Sequence, residues 1–218
     1  KAAWRQVQRS TAAHSTATVH DASSCHFAGA GDDLSLGARL GRWIGAPILS
    51  GPQDVPVSRK GEDGTVSLVA AHDGYVQRFG IVHERRLRLA TSGEQLAGED
   101  IFILIDPTPG MTDVAIRFHL HPSVRASRLQ SGQAVMLLLP DGEAWTFEAE
   151  QVPLAIEESV FFAAPDGTRR TEQIVLSLDA AETHAVRWSF QRIGRHNSSG
   201  GRRSAARPDE EPLPLEDI

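Results

Sequence analysis

The 218-residue chain is 40% hydrophobic and 23% charged, the composition of a globular domain with enough apolar residues for one core. A net charge of −6 excludes an extended basic footprint for nucleic acid. No apolar run approaches the roughly 18–20 residues of a membrane span, and the single cysteine, Cys25, excludes an internal disulfide and Cys-rich zinc modules.

Taken in chain order, the pattern is one of short strands. Thr16–His20 alternates and is rich in β-branched residues. Gly29–Ser50 carries Leu34, Leu36, Leu40, Trp43 and Ile44 and reads as a short helix or a covered loop. Val66–Ala70 opens the next strand, followed by Gly80–Leu89. In that strand Ile81, His83, Arg85, Leu87 and Leu89 share one face, and Val82, Glu84, Arg86 and Arg88 the other. Ile101–Ile105, Val114–His121, Ala134–Leu139, Ala144–Glu150, Ser159–Ala163, Glu172–Leu178 and His184–Ile193 are further strands. Ser92-Gly93, Asp141-Gly142 and Asp166-Gly167 are pairs that close hairpins, most clearly between Val135–Pro140 and Glu143–Phe147. Many short strands without α/β alternation indicate an all-β fold: an antiparallel β-sandwich or a stacked array of sheets, over residues 1–194. From Arg195 the chain turns Ser/Gly/Arg-rich and then acidic and Pro-rich, so 195–218 is expected to be a disordered tail.

Three constellations could carry chemistry. His119 and His121 fall on one face of a strand, as two imidazoles on a cupin-like metal would. No acid follows in Pro122–Arg128, so packing of two histidines on a sheet face fits better. His72-Asp73-Gly74-Tyr75 offers an imidazole beside a carboxylate, but strand neighbours point to opposite faces, so Asp73 is badly placed to orient His72. Tyr75, the one tyrosine, reads equally as a structural hydroxyl at a sheet corner. His14 enters a strand among Ala, Ser and Thr, with room for its imidazole to reach a ligand.

Together, Trp4-Arg5, Ser10–Thr16 with its Ala13-His14-Ser15-Thr16, the strand ending at Asp21, His72-Asp73-Gly74-Tyr75, Gly80–Leu87 with His83-Glu84-Arg85, and Gly98-Glu99-Asp100 resemble the heparinase II/III-like polysaccharide lyases. The resemblance runs through about residue 193. It implies the carboxy-terminal β-domain of a two-part protein whose amino-terminal α/α toroid, absent from this chain, packs against it. Such enzymes cleave uronic-acid polysaccharides by β-elimination, in which stabilising the enolate-like state is the main demand. It also implies that the Tyr/His base–acid pair lies before Lys1, so no catalytic residue is expected here and the isolated chain should be inactive. His14 matches the family's Ala-His-Asn-Thr histidine, a ligand of a structural zinc, with Ser15 in place of Asn. Arg5 is the expected contact to an acidic polysaccharide substrate. The implied location is the periplasm or cell envelope, with the cytoplasm left open. A competing reading is a stand-alone module that grips acidic glycans through Arg85, Arg86 and Arg88.

Overall fold

A computed structural model describes residues 7–27, 48–130, 132–165 and 167–195. The strands, in chain order, are β1 (Ala17–Val19), β2 (His26–Phe27), β3 (Ile48–Ser50), β4 (Val57–Glu62), β5 (Thr65–Tyr75), β6 (Ile81–Leu89) and β7 (Gln95–Leu104). They continue with β8 (Asp113–His119), β9 (Arg125–Arg128), β10 (Ala134–Leu138), β11 (Glu143–Ala149), β12 (Leu154–Phe161), β13 (Arg169–Asp179) and β14 (Ala185–Arg195). A four-stranded sheet, ordered β1-β8-β13-β12, stacks on an eight-stranded sheet ordered β4-β5-β6-β7-β14-β11-β10-β9, and β2 pairs with β3. Every pairing among these strands is antiparallel. The fold is all-β, as the alternation predicts.

Period-two burial builds the core between the two sheets. Val114, Ile116 and Phe118 of β8, with Ile174 and Leu176 of β13, face Ile81, Phe102, Phe147, Val186 and Trp188 of the large sheet, all of them buried. Phe118 sits at the centre, its ring centroid 4.7 Å from Trp188 and 4.9 Å from Phe147. Pairs at these distances add to the burial of the rings themselves.

The predicted β10–β11 hairpin forms with Leu138 opposite Ala144. Its turn closes through Gly142 N–H to the Leu139 carbonyl at 3.0 Å, while the Asp141 carboxylate accepts the Glu143 N–H at 3.1 Å. Elsewhere the strands outrun their sequence signals. β7 begins at Gln95 rather than Ile101, β12 at Leu154 rather than Ser159, and β14 continues to Arg195, opposite Glu143. The pattern also passes over β4, a charged edge strand whose six residues are all exposed and carry no core periodicity. Of the segment read as helix or covered loop, Ile48–Ser50 forms β3; the rest, like Arg5 and the expected tail beyond Arg195, lies outside the described residues.

Candidate functional site

The chemistry-bearing residues converge on the inner face of β5, β6 and β7. Register alone brings most of them together: His72 lies opposite His83, Arg85 opposite Asp100, and Trp188 of β14 opposite Gly98. Gly98 is required there. A Cβ on it would stand 2.2 Å from Cζ2 of Trp188, so only glycine lets the indole lie across the strand.

Asp100 is the hub and has no solvent exposure. Its Oδ1 accepts from His83 Nε2 at 2.6 Å and Arg85 Nε at 2.7 Å. Its Oδ2 accepts from Arg85 Nη2 at 3.0 Å and Trp188 Nε1 at 2.8 Å. Four donors fill the four acceptor positions of a carboxylate, which leaves none for a reacting proton. Burial alone would push this carboxyl up, but the His83 hydrogen bond and the Arg85 guanidinium hold it at about 2.

Behind the hub runs a directed chain of hydrogen bonds. Gly74 N–H donates to His72 Nδ1 at 3.2 Å, so the His72 proton sits on Nε2, 3.4 Å from His83 Nδ1. His83 then presents its Nε2–H to Asp100. Burial, with a smaller push from His83, takes the His72 imidazole down to about 4 against an opposing pull from Asp73. The Asp73 carboxylate is engaged elsewhere, accepting the Gln53 N–H at 2.8 Å. Tyr75 packs on His72 with ring centroids 5.4 Å apart, and its fully buried hydroxyl donates to the Ala17 carbonyl at 2.9 Å. Burial drives that phenol up to about 12, so it is a structural tie between β5 and β1.

From the hub, one contact leads outward. Arg85 Nη1 donates to the Ser15 carbonyl at 2.7 Å, reaching the turn that follows Thr11–Ala13 and carries His14. The same turn is held from the other side by His119. Its Nε2–H donates to the Ala12 carbonyl at 3.0 Å, its Nδ1 accepts from the Ser159 hydroxyl at 2.8 Å, and its backbone N–H donates to Ser15 Oγ at 3.0 Å. Burial lowers the His119 pKa, which keeps this ring in the neutral form that the two contacts use. His14 itself is exposed, forms no side-chain hydrogen bond among the described residues, and stands beside a cavity of about 390 Å³ lined by His119, Leu120, Phe161 and Phe162.

Two readings of the sequence change on this geometry. Arg85 lies on the inner face with Asp100, whereas Arg86 is on the outer face and bound to Glu84 and Glu99, so Arg85, Arg86 and Arg88 cannot grip a glycan together. His119 and His121 do not converge: His121 lies past the end of β8, with Nδ1 2.6 Å from Ser123 Oγ and its ring edge-on to Phe161. Among the described residues no three His, Cys, Asp or Glu side chains are grouped to hold a metal. Sequence reasoning missed Trp188, whose donor role has no local signature, and the Asp100–Arg85 pairing, which depends on strand register.

Comparison with known proteins places these features in context. A family model described as "Heparinase II/III-like, C-terminal" matches residues 1–189. FtsZ-localized protein C of Caulobacter vibrioides is 34% identical over 186 residues, spanning 81% of this chain and 30% of that protein. The crystal structure of the heparan sulfate lyase HepC from Pedobacter heparinus superposes with a TM-score of 0.62 at 10% identity, covering 90% of this chain and 26% of that one. Heparinase III superposes with a TM-score of 0.58 at 10% identity, covering 89% and 25%. At such identities the two structures speak to the fold, and this chain spans under a third of each of these proteins.

Proposed function

This chain belongs to the heparinase II/III-like C-terminal family, and from that premise we propose that it is the β-domain of a larger polysaccharide lyase that cleaves uronic-acid glycans by β-elimination. The observation that carries this reading is the commitment of the domain's buried polar groups to the fold. Asp100 has its acceptor positions filled, Tyr75 is sealed from solvent, and His72 is turned inward onto His83. Abstraction of a C5 proton needs a base with a free lone pair at an accessible site, and none of these groups offers one. We assign the base, the acid and the groups that neutralise the uronate to the chain upstream, keep the exposed His14 imidazole for a structural role, and take the domain described here as their scaffold.

His14 is assigned as one ligand of a structural zinc. An exposed imidazole with an uncommitted ring, fixed on a short turn at a cavity mouth, suits one corner of a tetrahedral site. The other ligands, His and Asp, are assigned to the chain just upstream of Lys1. Arg5 is proposed as a contact to the acidic substrate, and the periplasm or cell envelope as the place where such a polymer is met. No helix among the described residues is long and apolar enough to cross a membrane.

A second reading rests on the 34% identity to an FtsZ-localized protein: the parent works at the division site and keeps the lyase fold as a scaffold. One experiment separates the two. The full-length protein is incubated with heparan sulfate, hyaluronan and alginate, and unsaturated uronate is followed by its near-ultraviolet absorbance. A fluorescent fusion is imaged in dividing cells alongside. Turnover supports the lyase; a midcell band with no turnover on any of the three polymers supports the division-site reading.

A further inference from the structure

The two stacked sheets end in four edge strands, and three of them are guarded. β1 is three residues long, and its chain folds back at once through the Val19–Ala22 bridge. β4 carries Arg59, Lys60 and Glu62 among six exposed residues, and β9 is four residues bracketed by Arg125 and Arg128. Short strands and edge cations are how proteins keep foreign strands from pairing. β12 has neither guard. It is eight residues without lysine, arginine, proline or glycine, and its register with β13 is unbroken from Leu154 to Phe161. No backbone hydrogen bond among the described residues reaches its other side.

The side chains along β12 say what would fit there. Leu154 and Ile156 lie against the core in register with Leu176 and Ile174, so the apolar face runs out to the edge itself. Glu157 and Glu158 follow, both exposed and pointing to opposite faces. Glu158 stands opposite Glu172, a like-charge pair that strand pairing disfavours, and the Arg170 that meets it is 78% exposed. Glu157 rims a cleft of about 500 Å³ with Asp21, Asp113 and Asp179, whose Arg117 is already bound to Asp21. At the end of the strand, Val160 and Phe161 border the apolar cavity of about 390 Å³.

We propose that β12 is a docking edge for an extended basic peptide of a partner protein, which joins the four-stranded sheet as a fifth strand. Backbone hydrogen bonds hold the peptide, basic side chains opposite Glu157 and Glu158 supply the charge that the edge lacks, and an apolar side chain opposite Phe161 enters the cavity. A second copy of this chain is a poor occupant. Antiparallel self-pairing centred on β12 sets the acids of one copy opposite or diagonal to those of the other. The proposal stands apart from the lyase reading and needs no catalytic group.

The test uses the full-length protein and a labelled peptide, Leu-Thr-Thr-Lys-Lys-Val-Thr. Its antiparallel addition sets the lysines opposite Glu158 and Glu157 and the leucine opposite Phe161. Binding is read by fluorescence anisotropy and by amide hydrogen exchange. One companion peptide has glutamate for both lysines; two more carry N-methyl groups, one on its odd residues and one on its even residues. The basic peptide is expected to bind and to slow exchange in β12, with β4 and β9 unchanged. The glutamate peptide, and the double variant Glu157→Lys/Glu158→Lys, should bind about tenfold or more weakly, while Glu62→Lys on β4 leaves binding as it was. One methylated peptide should be silent and the other should bind, because only alternate N–H groups of an added strand face the sheet. Equal behaviour of the two methylated peptides, unchanged affinity in the double variant, or binding without protection of β12 would overturn the proposal. So would no binding at about 1 mM basic peptide, which means that the edge is already filled. Self-association that protects β12 without peptide would overturn it too, by making the occupant a second copy.

Discussion

Glu99 and Asp100 are neighbours on β7, both acidic, both buried, and both paired to an arginine of β6, yet they serve different ends. Strand alternation sends Asp100 into the space between the sheets and Glu99 to the outer face. Asp100 meets four donors at 3.0 Å or less, from an arginine only 17% exposed, a histidine and a tryptophan. Glu99 is held by Arg187 at 3.0 Å and Arg86 at 3.5 Å, whose side chains are 35% and 37% exposed. The inner pair is a largely desolvated hub, where one missing partner strands a charge. The outer pair is a clasp laid over a sheet face, whose arginines can turn to water. Local sequence is nearly the same; the face decides the energetics.

The largest expected effect follows from the inner member. Asp100→Ala leaves the Arg85 guanidinium without its carboxylate and the Trp188 N–H without an acceptor, and should cost about 3–5 kcal/mol in denaturant unfolding. A loss no larger than that of an ordinary surface change would contradict the hub. Gly98→Ala comes next. Its methyl would sit 2.2 Å from the Trp188 ring, forcing the indole and the hub away from each other, at about 1–3 kcal/mol. A neutral Gly98→Ala would show that the indole has space to move.

The pH dependence is a gentler probe of the same region. His72 titrates near 6.5 in the unfolded chain and at about 4 in the fold, so between those values the unfolded state binds the extra proton. Its contribution is complete above pH 6.5 and is lost as pH falls toward 4. Asp100 repeats the pattern lower down, its contribution fading from 3.8 toward about 2. The thermal midpoint should therefore decline from pH 6.5 to 4, and His72→Gln should flatten that decline; an unchanged slope would mean that His72 is solvated. The smallest effect belongs to the outer clasp. Glu99→Ala should cost clearly less than Asp100→Ala, since Arg86 keeps Glu84 at 2.8 Å and the side chains of Arg86 and Arg187, about a third exposed, can turn to water. A cost equal to that of Asp100→Ala would erase the contrast between the two faces.

Much of this architecture is legible before any coordinates. The alternation in Gly80–Leu89 assigns Arg85 to the same face as Ile81 and His83, and Asp141-Gly142 marks its hairpin because the turn chemistry is local. What escapes is of two kinds. β4 is polar throughout, since an exposed edge has no buried face to write into the sequence. Gly98, Glu99 and Asp100 interrupt the apolar signal of β7, because a glycine under an indole and two paired acids obey contacts made with other strands. The site follows the same division. His72, Tyr75, His83, Arg85 and Asp100 stand out as a motif, but their convergence on one carboxylate needs the β5–β6–β7 register, and Trp188 comes from 88 residues away.

The claim at the centre of this account is that the Asp100 carboxylate, acting through Arg85, orders the turn that presents His14. Amide hydrogen exchange of residues 11–16 in Asp100→Asn, compared with wild type under conditions where both are folded, tests it most directly. The Ala13 and His14 amides donate within this turn, so their protection reports its opening. The account predicts exchange there roughly tenfold faster or more, the equivalent of about 1.4 kcal/mol of lost protection, with β10 and β11 unchanged. Protection over 11–16 equal to wild type, with only β6 and β7 loosened, would contradict it.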